Sequence, residues 1–70
     1  MLYFDEYDPE DLLNATVRIK SNELDGTIKG YAFYSHRDDH VLVCYTNDTG
    51  TVLDHWFAIS DLDLVELAVD

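Results

Sequence analysis

His36-Arg37-Asp38-Asp39-His40 gathers two imidazoles and two carboxylates within one short segment. These are zinc-ligand types, and histidines four apart share a face when they stand on a helix. A zinc site also needs three or four donors converging at about 2.0–2.3 Å. This segment is polar and separates two apolar runs, so it is expected as a solvated hairpin loop, where the spacing forces no convergence. Cys44 is the one thiol, with His40 and His55 as the imidazoles that could activate it. It lies in the apolar run Val41-Leu42-Val43-Cys44-Tyr45-Thr46, where a thiol is usually buried and inert. No Gly-rich or oxyanion-type loop accompanies it. The fifteen acids must form some close pairs by chance. None is flanked by a pocket signature, and the default for such runs is solvated surface charge. The expectation is a binding protein with no catalytic residue, metal or cofactor.

Charge is the stronger signal. Fifteen acids face four bases across 70 residues, for a formal net charge of −11. That balance repels nucleic acid and anionic membranes and attracts basic partners. Asp5, Glu6, Asp8, Glu10 and Asp11 crowd the start, and Asp61, Asp63, Glu66 and Asp70 the end. Solubility alone is served by a net charge magnitude of about 2–8 in a small domain. On a strand, residues two apart share a face at about 6.6 Å. Asp61 and Asp63 form such a pair if the last strand starts early, with Asp5, Asp8, Glu10 and Asp11 extending the patch.

Composition bounds the rest. Apolar residues make up 47% and aromatics 13%, too many for a disordered acidic tail, so the charge is read as the surface of a folded domain. The length suits a single domain over residues 1–70 with a modest core and little room for a deep pocket. With one cysteine no internal disulfide forms, which fits a cytoplasmic setting. The start Met1-Leu2-Tyr3-Phe4-Asp5-Glu6 has neither a basic region nor an apolar run, so a signal peptide is not expected and the chain reads as complete. No stretch approaches 18 apolar residues, so no membrane span is expected.

The elements that must position these groups read as mainly β. Asp8-Pro9-Glu10-Asp11-Leu12-Leu13 predicts a helical turn capped by Asp8, with Pro9 at the first helical position and Leu12 and Leu13 pinned to the core. Ala15 to Lys20 alternates, with Val17 and Ile19 inward. Ser21 to Gly26 predicts a loop closed by Asp25-Gly26. Thr27 to Ser35 is a second strand, in which Gly30 is a plausible bulge between the parity of Ile28 and that of Tyr31 and Phe33. Val41 to Thr46 predicts a central strand buried on much of both faces. Asn47-Asp48-Thr49-Gly50 turns into a fourth strand, Thr51 to Ile59. Ser60-Asp61-Leu62 reads as one tight turn, and Asp63 to Leu67 as a fifth strand with Val65 and Leu67 inward.

This order resembles the SH3-like small barrels of the Tudor and KOW kind. The resemblance rests on Val17-Arg18-Ile19, Asp25-Gly26-Thr27-Ile28, Val43-Cys44-Tyr45 with Asn47-Asp48-Thr49-Gly50, and Ile59-Ser60-Asp61-Leu62. It covers residues 14 to 67 and implies an all-β, five-stranded SH3-like barrel. KOW-type members meet nucleic acid or ribosomes, and this charge departs from that pattern. Tudor-type members hold methylated lysine or arginine in an aromatic cage; Tyr31, Phe33, Tyr34, Tyr45, Trp56 and Phe57 supply rings here without aligning to one.

Trp56 is the residue most suited to anchor a partner. If Leu53, Phe57 and Ile59 face the core, Trp56 and Ala58 face the other way. Two placements are open: an exposed anchor burying a large area at low entropic cost, or cover by Tyr3, Phe4 or Tyr7. The leading expectation is a module docking on a basic nucleic-acid-binding protein, with an inhibitor or nucleic-acid mimic of the phage or mobile-element accessory type as its form. Trp56, Tyr31 and Tyr34 would give contact, and Asp5, Asp8, Glu10, Asp11, Asp61 and Asp63 would give steering. The alternative is a structural module forming a homo-oligomer through an exposed strand edge. Direct nucleic-acid or membrane partners are not expected.

Overall fold

Alternation sets the strands. A computed structural model describes residues 2–68. In β1 (Thr16–Ile19), Val17 and Ile19 are fully buried and Arg18 is exposed. With β2 (Asp25–Ala32), β3 (His40–Thr46), β4 (Val52–Ala58) and β5 (Leu62–Glu66), it forms one antiparallel sheet in the order β4-β3-β2-β1-β5. The all-β expectation holds. Closure into a barrel does not appear in the ladder: β4 and β5 are its ends, and they do not pair with each other among the described residues.

The core lies on one face. Val17, Ile19, Ile28, Val41, Val43, Leu62 and Leu64 come from the strands, and Leu12 and Ala15 from the segment entering β1. No helix among the described residues is long and apolar enough to cross a membrane. β2 keeps its apolar residues inward by a bulge. Ile28 pairs with Val43 and Gly30 with Leu42, so Lys29 is the extra residue. The inward parity passes from Ile28 to Tyr31, opposite Val41. The expected parity switch is present, one residue before Gly30.

Asp25-Gly26 is not the turn. Both residues already belong to β2, paired with Arg18 and Val17. The reversal is made upstream, where Glu23 takes a left-handed φ of 59° and the Asn22 side chain accepts from the Leu24 amide at 3.0 Å. Gly26 is needed for space: a Cβ there would stand 2.5 Å from Val43 Cγ1 and 2.9 Å from the Cys44 carbonyl oxygen. The second strand also ends at Ala32, short of Phe33 to Ser35. Gly50, by contrast, does serve a turn, with φ 87° before β4.

β5 corrects a parity. Leu62 and Leu64 are the buried residues, while Val65 is 46% exposed and Leu67 half-buried. The tight turn is a 3₁₀ turn at Ile59–Asp61, one residue earlier than expected, so the strand starts at Leu62 opposite Ile19. A shift of one residue exchanges the two faces. Asp61 therefore ends the turn, and Asp61 with Asp63 is not a pair along one strand.

The N-terminal segment holds a 3₁₀ turn, Phe4–Glu6, and a short helix α1, Pro9–Leu12. Pro9 occupies the first helical position as expected, but Asp8 makes no side-chain cap; its carbonyl accepts from the Asp11 and Leu12 amides. Leu12 is fully buried and Leu13 is not, because the chain leaves the helix at Leu13 in extended geometry. Asn14, at φ 67°, then donates its amide to the Ile28 carbonyl at 2.7 Å and turns the chain into β1.

Candidate functional site

Three adjacent strands build one outer row. Trp56 on β4 stands opposite Leu42 on β3, which stands opposite Gly30 on β2. A Cβ at Gly30 would come within 3.4 Å of the Trp56 ring at Cη2. The indole therefore crosses Leu42 and rests over the glycine, with one side on the sheet and the other in water; it is 52% exposed. Tyr3, Phe4 and Tyr7 do not cover it. That segment follows β5 instead, through a bridge between Leu2 and Leu64, and Phe4 and Tyr7 pack on the core.

Asp54 is the next residue on the same face of β4, with Val52 beyond it, and Val52 is 65% exposed. Asp54 lies opposite Cys44. A hydrogen bond to the Asp54 carboxylate, with burial second, pushes the Cys44 thiol above its ordinary range, partly opposed by Lys29. That is opposite to the depression a nucleophilic thiol needs. Cys44 and Leu42 are half-buried rather than enclosed, because no layer covers the outer side of β3.

At the other end of the row, His40 shares this face opposite Ala58. Its Nδ1 lies 2.9 Å from the Asp38 carbonyl oxygen, which makes Nδ1 the donor. The Tyr34 ring meets His40 edge-on at 5.1 Å and carries Arg37 over its face at 4.1 Å. Among the described residues no three His, Cys, Asp or Glu side chains converge as metal ligands.

The structure separates the remaining aromatic candidate. Tyr31 points to the core side, opposite Val41, and its hydroxyl donates to Asp39 Oδ2 at 2.8 Å. Burial, then the Asp39 hydrogen bond and charge, push its phenol up to about 12. The Asp39 carboxylate also accepts from the Tyr34 amide at 3.4 Å, so it ties the loop after β2 together. Phe33 stacks on Tyr31 at 4.9 Å with 68% of its surface exposed. Tyr45, His55 and Phe57 make a further ring cluster on the core side, at centroid distances of 6.3, 6.1 and 6.2 Å.

The acids gather elsewhere. The Leu2–Leu64 bridge brings the two ends of the chain together beside β5. Glu10 and Asp11 then share a shallow depression with Tyr7, Leu13 and Leu67, and Asp5 shares another with Asp38 and Ile59. Asp8 is exposed at the start of α1. Asp63 approaches Lys20 Nζ at 3.9 Å, and the Asp61 carbonyl accepts from the Lys20 amide. Arg18 pairs with Asp25 at 3.0 Å. Lys29 donates to the Asn14 side chain at 2.9 Å. Every Lys and Arg thus has a partner within the chain, while most carboxylates face water. After Arg37 the sequence holds eight acids and no Lys or Arg.

Trp56 and Tyr34 therefore belong to the outer face of β3 and β4, Tyr31 to the opposite face, and the terminal acids to the β5 end of the strand order. Reading the sequence also missed Val52 and the standing of β4 as an uncovered edge. No family model, curated protein or solved structure matches this chain.

Proposed function

We propose that the chain is a small acidic binding module, non-enzymatic and cytoplasmic, that docks on a basic nucleic-acid-handling protein. The frame we assign is SH3-like, supported by the four-strand meander, the one-turn 3₁₀ segment at Ile59–Asp61 and the return of β5 to β1. The observation that carries the functional reading is the half-exposed Trp56 beside Leu42 and Asp54, in a stretch of chain without Lys or Arg. A flat aromatic on a rigid strand contributes contact area at low entropic cost, and uncompensated acids raise the encounter rate with a cationic surface. The terminal acids Asp5, Asp8, Glu10, Asp11, Asp61 and Asp63 add a second negative surface that steers the approach. Inhibition follows if the docked face is the one the partner uses for nucleic acid, and an accessory protein of a phage or mobile element fits that role.

Affinity capture from a native lysate tests this at about 50 mM and 500 mM salt, with Trp56→Ala as the control bait. The reading expects a basic DNA- or RNA-binding protein that is retained by the parent, released as salt rises and lost with Trp56→Ala. Retention insensitive to both salt and Trp56 would sink it. One observation favours a second reading, a homo-oligomeric module: β4 is an edge with no strand on its outer side among the described residues. Sedimentation at micromolar concentration separates the two, because the first expects a monomer.

A further inference from the structure

The two edges of the sheet are managed differently. β5 is short, and the bridge from Leu2 covers part of it. β4 pairs with β3 through seven consecutive positions, from Thr46–Val52 to His40–Ala58, with no register shift. Its outer side carries no backbone pairing among the described residues. Natural edge strands are blunted by lysine, proline, bulges or cover. Val52-Leu53-Asp54-His55-Trp56-Phe57-Ala58 has none of the first three, and no strand among the described residues pairs with its outer side. Its one acidic residue is Asp54, and it carries no Lys or Arg.

We infer that β4 is a docking edge, and that its occupant is an extended, basic segment of the partner, added to the sheet as a sixth strand. This rests on the basic partner proposed above and specifies how it is held. A seven-residue edge offers about 20 Å of backbone donors and acceptors at about 3.3 Å per residue. Those bonds hold an extended chain, and side chains on alternate positions give the selectivity. On the outer face the incoming side chains fall beside Asp54 and Trp56, at cross-strand spacings of about 4.5–5.5 Å. Both favour a cation, one by charge and one through the indole face. On the other face they meet Leu53, His55 and Phe57, which favours apolar residues. The segment recognised thus alternates Lys or Arg with apolar residues. Charge also decides against a second copy of the same chain, since self-pairing sets one domain of net charge −11 against another.

The test is an amide NMR titration of the full chain with four heptapeptides. One alternates Val and Arg. Its twins, methylated on alternate backbone amides in either phase, keep charge and side chains but lose one set of strand hydrogen bonds. The fourth alternates Val and Glu. The expected result is that the Val/Arg peptide shifts amides 52–58 and slows their exchange at least tenfold. One methylated twin loses at least tenfold in affinity, and the Val/Glu peptide does not bind. Equal binding by all the Arg-containing peptides would overturn strand addition while leaving salt-sensitive capture of a basic protein intact. Shifts confined to residues 5–11 and 61–66, binding by none of the peptides, or a dimer joined through β4 would overturn it too. Loss of the salt-sensitive capture, by contrast, removes the underlying partner reading.

Discussion

Trp56→Ala removes more atoms than any other alanine substitution in this chain, yet it is expected to cost less stability than Ile28→Ala. Trp56 is 52% exposed, while Ile28 is fully buried. A large aromatic buries about 150–250 Å² when enclosed, so the covered part of Trp56 is about 100 Å². At about 25 cal/mol per Å² this gives about 2.5 kcal/mol, an upper bound because unfolded chains already cover some apolar surface. About 2 kcal/mol is the expected loss. Ile28→Ala removes enclosed methyl groups and leaves a cavity, for about 2–5 kcal/mol. A chain of this length has about 3.5–10 kcal/mol in total, so Trp56→Ala stays folded and Ile28→Ala approaches the limit. The assay is urea unfolding followed by far-ultraviolet circular dichroism, because Trp56 is the single tryptophan and its fluorescence disappears with it. With a slope of about 1 kcal/mol per M, the midpoint should fall by about 2 M for Trp56→Ala and further for Ile28→Ala. If Trp56→Ala is the more damaging of the two, or is unfolded without urea, the indole belongs to the core and the anchor reading fails.

The glycines give a second contrast: Gly26→Ala should lose about 3 kcal/mol, since Val43 and the Cys44 carbonyl must shift, and Gly30→Ala about 1 kcal/mol, since its nearest neighbours, Leu42 Cβ at 3.3 Å and the Trp56 ring at 3.4 Å, need to give only slightly. Thermal midpoints that are equal for the two variants would refute the packing assigned to Gly26. Tyr31 keeps its proton in the folded state to about 12, against 10.0 ordinarily, so its contribution is complete below about pH 10 and is lost as pH rises toward about 12. Stability measured across that window should slope downward in the parent and more shallowly in Tyr31→Phe, and absorbance near 295 nm should show one of the five tyrosines ionising late. Cys44 should react slowly with iodoacetamide at pH 8, and Asp54→Asn should speed it by removing the charge that disfavours the thiolate. An unchanged rate in that variant would separate Cys44 from Asp54.

Much of the local structure was legible because side-chain alternation is a local property. Val17 and Ile19 inward with Arg18 outward, the outward parity of Trp56 against Leu53 and Phe57, the turn at Asn47 to Gly50 and Pro9 opening a helix all follow from neighbours within a few residues. The absence of Lys and Arg after Arg37, and with it the negative balance of that half of the chain, is likewise written in the sequence. Errors arose where one residue decides parity. Placing the tight turn one position late put Val65 inward in place of Leu64, and taking Asp25-Gly26 as a turn hid the contact that excludes a side chain at Gly26.

Only the tertiary structure decided which strands are neighbours. The bridge from Leu2 to Leu64, the depression shared by Asp11 and Leu67, the indole lying over Gly30 and the edge position of β4 each depend on residues far apart in sequence. No local propensity encodes them. A strand's inward and outward faces are fixed by its own sequence, but its place at the centre or the edge of a sheet depends on which other segments compete for its backbone hydrogen bonds.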